Sequence, residues 1–234
     1  MRENTLKQRL YAGKAAFGVM CTFPSPPVVE MLGHLGFDWI LLDNEHGSIT
    51  VDTAEACIAA AELTGMAPIV RPVGNKPEII APFLDRGAWG VQVPHVNTAD
   101  EARAAVDAVK YGPEGHRGIF SGGRPAGYGF KGTTGGLCQG SQPPDPRVPD
   151  AGRGGGHREL CRSWSRCRGW TCTSSGPATC RNRWATPASR PIRTCRQMME
   201  RGVKIITGAG RIAGCSCPDN LVPKFLGLGV QYFH

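Results

Sequence analysis

The sequence predicts an α/β fold, a (β/α)₈ TIM barrel whose fifth and sixth strands are corrupted and whose C-terminus is cut short. Three observations lead there. Between residues 15 and 130, short continuous apolar runs alternate with amphipathic segments, the signature of parallel strands covered on both faces by crossover helices. The apolar runs begin near residues 17, 39, 67 and 90, a repeat of about 25 residues, which suits the strand–helix unit of such a barrel. From 131 to 197 the composition changes abruptly, then reverts.

Taken in order, Phe17-Gly18-Val19-Met20-Cys21 reads as a short buried strand. Pro26 to Leu35 follows with Val28, Val29, Met31, Leu32 and Leu35 at helical spacing, stopped by Gly36. Trp39 to Leu42 is a second strand ending at Asp43, and Val51 to Leu63 an Ala-rich helix ending at Gly65. Ala67 to Val70 is a third strand ending at Arg71, followed by a helix from Pro77 to Leu84 closed by Gly87. Gly90 to Val93 is a fourth strand ending at Pro94, and Ala99 to Val109 a fourth helix. Four such units make half of an eight-fold barrel. A doubly wound open sheet also accommodates them, but no glycine-rich phosphate loop follows the first strand.

The 234 residues suffice for one large domain, and a single barrel over 1–234 with a non-native-like insert at 131–197 is expected. No run of 18 apolar residues exists, so no membrane span is expected. Met1 to Lys14 has no apolar core of a signal peptide, which points to a cytoplasmic protein. The ten cysteines are then read as reduced thiols. The net charge of +8 is uneven: residues 131–197 hold 12 Lys+Arg against 3 Asp+Glu, and the remainder 15 against 16. The same segment holds six of the ten Cys, three of the five Trp, and only Leu137, Val148, Leu160 and Ile192 among the aliphatics, too few for core strands.

In a barrel, chemistry gathers where strands end. Here those positions carry Asp43, Glu45, His46, Arg71 and His95. His46 sits in a short turn with Gly47, where an imidazole can act as a general base near neutral pH or be a plain surface histidine. Arg71 can bind a carboxylate or a developing enolate oxygen, or can pair with Asp43 or Glu45. Asp85 can orient His46 or be a helix-end carboxylate, and His95 reads as structural.

The run Gly36 to Gly47, with Asp43-Asn44-Glu45-His46-Gly47 at its end, is accompanied by Val70-Arg71, Leu84-Asp85-Arg86-Gly87-Ala88, Val93-Pro94-His95-Val96 and Tyr111 to Gly118. These five motifs, in order over residues 5–130, resemble the HpcH/HpaI aldolase family. The resemblance implies a class II aldolase, cytoplasmic and assembled as a homo-oligomer, a hexamer. It would cleave a 4-hydroxy-2-oxo acid into pyruvate, or a related keto acid, and an aldehyde. Such enzymes use a divalent metal, Mg²⁺ or Mn²⁺ and in some cases Co²⁺, to stabilise the enolate. By position, His46 would be the base, Asp85 its orienting partner and Arg71 the contact to the enolate oxygen. Asp43 and Glu45 would support metal-bound water.

The family's direct metal ligands, a Glu on the fifth strand and an Asp in a Gly-Pro-x-Asp-Leu-Ser motif, are not legible in 131–197. The genetic code offers a reason. Trp170 is encoded by TGG and Thr171 begins AC, so a reading one base back contains GAC, aspartate. Continued over Cys167 to Cys180, that frame permits Pro-Gly-Val-Asp-Val-Tyr-Phe-Ile-Gly-Pro-Gly-Asp-Leu-Ser, with the expected metal-binding Asp straddling Ala178 and Thr179. A frameshift over about residues 131–197 therefore explains the composition. It predicts poor folding there, with strands five and six unable to close a barrel. From Met198 the frame resumes: Gly202 to Ile206 reads as a strand, as does Leu228 to His234, and the chain stops before the family's last helix.

Two other classes fit less well. An Arg-rich single-strand binder stacking bases on Trp164, Trp170 and Trp184 is made unnecessary by the frame reading, so no nucleic-acid partner is expected. Cys161, Cys167, Cys172 and Cys180 lack zinc-site spacing, and Cys215-x-Cys217 has no partner pair. A barrel remnant without activity is the stronger rival to an active enzyme.

Overall fold

A computed structural model describes residues 4–130 and 192–234. The stretch 131–191, which holds Cys167–Cys180 and the Ala178–Thr179 position, lies outside the described residues. Helix α1 (Thr5–Tyr11) leads into β1 (Ala16–Cys21), α2 (Pro26–His34), β2 (Trp39–Asp43) and α3 (Val51–Leu63). Then come β3 (Ala67–Arg71), α4 (Pro77–Asp85), β4 (Gly90–Val91), α5 (Ala99–Val109) and a 3₁₀ segment, Arg124–Gly129. After the gap follow α6 (Ile192–Gly208), β5 (Ala213–Cys215), a 3₁₀ turn at Asp219–Leu221, α7 (Val222–Gly227) and β6 (Val230–Phe233).

The six strands form one curled parallel sheet in the order β4-β3-β2-β1-β6-β5. The first and last strands are neighbours, Ala16 opposite Tyr232 and Phe17 opposite Phe233. That arrangement is a half-barrel. Any strands between β4 and β5 that would complete eight fall outside the described residues.

Strand residues alternate between two cores. Trp39, Leu41, Ala67 and Ile69 point to the concave side, where Leu6 of α1 and Ala16 join them. Ile40, Leu42 and Val70 point to the convex side and pack with Val29, Ile58, Ile80 and Phe83 of the helices. All five residues of β2 and all five of β3 are buried, as a parallel strand covered on both faces requires. Trp39 fills the concave floor, with Tyr232 stacked on it at 3.9 Å between ring centroids. It can do so because its partner in register is Gly18: a Cβ there would lie 2.1 Å from the indole ring.

Most elements lie where the apolar runs place them. Three differ. No element is expected before Phe17, yet Asn4 caps α1 by accepting from the Lys7 N–H at 2.9 Å, and Leu6 plugs the concave core. The fourth strand is short, Gly90–Val91, because Pro94 has no N–H to continue a ladder and His95 turns into the left-handed region at φ 57°. The expected strand at Gly202 to Ile206 is instead part of α6. The physical reason is spacing: Met199, Val203 and Ile206 fall on one helical face and bury it against Ala213, Phe225 and Val230. The strand of that unit is Ala213–Cys215.

Substituting Gly18 should be costly and substituting Gly202 should not. Gly18→Ala forces the Trp39 ring from its site and is expected to destabilise by about 1–3 kcal/mol in urea denaturation. Gly202 lies in α6 with open space around the position of a Cβ, so Gly202→Ala is expected to stabilise by roughly 0.5–1 kcal/mol.

Candidate active site at the C-terminal ends of the second and third strands

The alternation that sends Trp39 and Leu41 inward also sends Asp43 inward, and Ala67 and Ile69 do the same for Arg71. Asp43 and Arg71 are partners in register, so their side chains meet. Arg71 Nε donates to Asp43 Oδ1 at 2.8 Å and Nη2 to Oδ2 at 2.7 Å, a two-pronged pair with Asp43 fully buried and Arg71 only 4% exposed. Oδ1 also accepts the backbone N–H of Glu45 at 3.0 Å and of His46 at 3.3 Å, so the pair shapes the turn that carries the histidine.

Burial alone would push the Asp43 carboxyl up. The Arg71 guanidinium and the two backbone N–H groups outweigh it and hold the carboxyl below its ordinary value. Burial opposes the charge on Arg71 too, and Asp43 with Glu45 raises it above its usual value.

Glu45 ties the remaining groups together. Its Oε2 lies 3.4 Å from Arg71 Nε, and its Oε1 lies 2.8 Å from His95 Nε2 and 3.7 Å from His46 Nε2. His46 is the most accessible member, with 67% of its side chain exposed against 48% for His95. Gly47 presses the turn against the end of β1: a Cβ there would stand 2.3 Å from the Thr22 carbonyl oxygen and 2.4 Å from that of Asp43. Ser48 N–H donates to the same Thr22 oxygen at 2.7 Å.

Four of the five residues expected in the catalytic and metal-supporting set, Asp43, Glu45, His46 and Arg71, thus stand together. His95, read from the sequence as structural, joins them through Glu45 from a left-handed backbone that non-glycine residues rarely adopt. Asp85, expected to orient His46, stands apart from them within this chain. It ends α4, which runs from the strand C-termini back to their N-termini, and it pairs with Arg117 Nη2 at 2.9 Å. Gln92 was missed altogether. It is 8% exposed, and both polar atoms of its side chain lack a partner among the described residues.

The described residues do not fit a metal as direct ligands. No group of three or more His, Cys, Asp or Glu among them could hold an ion. Both oxygens of Asp43 are committed to Arg71, and both of Glu45 to Arg71 and the histidines. Their excess negative charge can support a neighbouring cation but supplies no coordination sphere. No described helix is long and apolar enough to cross a membrane.

Fold and site together define a parallel α/β half-barrel with an acid–base cluster at its strand C-termini. Comparison with known proteins makes the class specific. The family model for HpcH/HpaI aldolase/citrate lyase matches residues 18–153, and the chain belongs to that family. A pyruvate aldolase of Rhizobium etli is 40% identical over 116 residues, 50% of this chain and 46% of that protein. A hydroxypyruvate/pyruvate aldolase of Sagittula stellata is 40% identical over 127 residues, 54% of this chain and 50% of that protein. The chain thus spans about half the length of the curated relatives it matches. The crystal structure of an HpcH/HpaI aldolase/citrate lyase family protein from Burkholderia cenocepacia superposes with a TM-score of 0.77 at 21% identity. It covers 99% of this chain and 91% of that one, a likeness of fold.

The buried pair yields a stability prediction. Asp43→Ala leaves Arg71 charged and unpaired in the core and is expected to cost about 3–5 kcal/mol in urea denaturation at neutral pH. The carboxyl lies lower in the folded chain than its unfolded value of about 3.9, so its contribution is complete above that pH and is lost as pH falls through the folded value. Wild-type stability should therefore decline below about pH 4, and the decline should be shallower in Asp43→Ala.

Proposed function

We propose that this chain derives from a carbon–carbon lyase that reversibly cleaves a 4-hydroxy-2-oxo acid into pyruvate, or a related keto acid, and an aldehyde. The observation that supports it most is the Asp43–Arg71–Glu45–His46 cluster at the strand ends of a family half-barrel. In this reading the exposed His46 imidazole takes the proton from the C4 hydroxyl. The C3–C4 bond breaks, the aldehyde leaves, and the electron pair passes into the enolate of the keto acid. Arg71 Nη1, which has no partner among the described residues, faces the developing enolate oxygen. Asp43 fixes both the guanidinium and the turn, and protonation of the enolate carbon releases the keto acid.

The family relation also brings a divalent ion, Mg²⁺, Mn²⁺ or Co²⁺, whose ligands would have to come from outside the described residues. The shifted frame at 131–197 is part of the same proposal, as is a full eight-stranded barrel in the lineage, with cytoplasmic location and a hexameric homo-oligomer. A second reading, a barrel remnant without turnover, is favoured by the lack of a three-ligand group among the described residues.

One assay separates the two. The purified chain is given a 4-hydroxy-2-oxo acid with Mg²⁺ or Mn²⁺, and pyruvate release is followed. The chain as written is expected to turn over weakly or not at all, and a variant restored to the alternative frame over 131–197 to turn over with a requirement for the metal. In the restored variant, His46→Ala should reduce kcat by roughly 10²–10⁴-fold without loss of thermal stability. Ordinary turnover by the chain as written would sink the frameshift, and a silent restored variant would sink the aldolase reading.

A further inference from the structure

Two buried polar groups on the concave side lack a hydrogen-bond partner among the described residues: the indole Nε1 of Trp39, on the floor, and the side-chain amide of Gln92, beside the strand C-termini. The place of Gln92 follows from the strand pattern. Val91 and Val93 on either side pack against the convex core, so Gln92 points the other way, into the half-barrel. Its own N–H donates to the Val70 carbonyl at 2.8 Å, which sets it beside Arg71 across the β3–β4 pair. Gly90, one step earlier on the same face, has no side chain to cover it.

A buried primary amide without partners is costly, since both a donor and an acceptor are taken from water uncompensated. Neither atom bonds to the Asp43–Arg71–Glu45 cluster. The amide is thus directed at something that enters the half-barrel. A carboxylate would satisfy only its N–H₂ and a cation only its oxygen. A hydroxyl satisfies both, accepting from Nε2 and donating to Oε1.

We propose that Gln92 is a specificity residue that recognises a hydroxyl group on the carbon chain of a 2-oxo acid lying against Arg71. The assignment rests on the aldolase reading and adds the substrate class: hydroxylated 2-oxo acids are preferred to their deoxy analogues. A site built around such a bond disfavours the ligand that lacks it, because the amide is then buried unpaired. Gln92→Met removes the amide and keeps nearly the same length and volume. An amide kept for binding contributes nothing to the fold, so the substitution leaves the unliganded protein as stable as before or more so.

The test compares hydroxypyruvate with pyruvate, which differ by one hydroxyl. Melting curves of the full-length wild-type chain and of Gln92→Met are recorded alone and with each ligand over a millimolar concentration series with Mg²⁺. The ligand-induced rise gives an apparent Kd. Hydroxypyruvate is expected to bind the wild type about tenfold more tightly than pyruvate. Gln92→Met should abolish that difference, with pyruvate binding unchanged and the unliganded Tm equal or higher. Equal discrimination by wild type and Gln92→Met overturns the assignment while leaving the aldolase reading in place. A fall of several degrees in the unliganded Tm marks Gln92 as a structural residue and also overturns it. If neither ligand shifts the wild type, this assignment falls, while the aldolase reading is decided separately by the restored-frame assay.

Discussion

A carboxylate and a guanidinium sealed from water at the upper end of the concave core govern the rest of this molecule. Removing two charges from solvent costs several kcal/mol per ion, so such a pair persists only when its geometry returns that cost. Here it is returned by two short bonds between Asp43 and Arg71 and by two backbone N–H groups that close on the same carboxylate. The register of β2 against β3 brings the two residues opposite one another, and a slip of either strand by one residue would turn its member of the pair to the convex side. The tight turn at Gly47 and the exposed position of His46 follow from where Asp43 stands.

The apolar layers beneath the pair serve it. Trp39 fits because Gly18 leaves it room, Tyr232 covers it, and α1 closes the floor with Leu6. On the concave side β2 therefore carries Trp39 at the bottom and Asp43 at its C-terminal end, and β3 carries Ile69 below Arg71. Stability is gathered at one end and reactivity at the other, as parallel α/β barrels divide them.

Much of this was legible in the sequence, for physical reasons. A strand buried on both faces must be a continuous apolar run, and Trp39–Leu42 and Ala67–Val70 stand out as such, so Asp43 and Arg71 mark where each run ends. Gly202–Ile206 misled because five residues suit a strand as well as a helix. A window reaching back to Met199 carries the helical spacing. Asp85 stands apart from His46 in this chain because α4 carries it to the end away from the strand C-termini, which motif position alone does not show. Gln92 was passed over within Val91-Gln92-Val93, yet counting two residues on from Gly90 puts it on the face of Arg71. The metal ligands expected from residues 131–197 lie outside the described residues.

The contact between the first and last strands has a consequence for the order in which the chain organises. Residues 16 and 232 pair directly, and Gln231 Nε2 donates to the Leu10 carbonyl at 2.8 Å, so the floor of the concave core is completed by the final stretch of sequence. During synthesis β1 stands with a bare hydrogen-bonding edge, and Trp39 without its cover, until residues 230–233 have been made. A pairing of such long sequence separation is slow to form, and an unpaired parallel edge is a template for association with other chains in the meantime. The nascent protein is therefore exposed to aggregation and to chaperones from the emergence of β1 until residues 230–233 have been made.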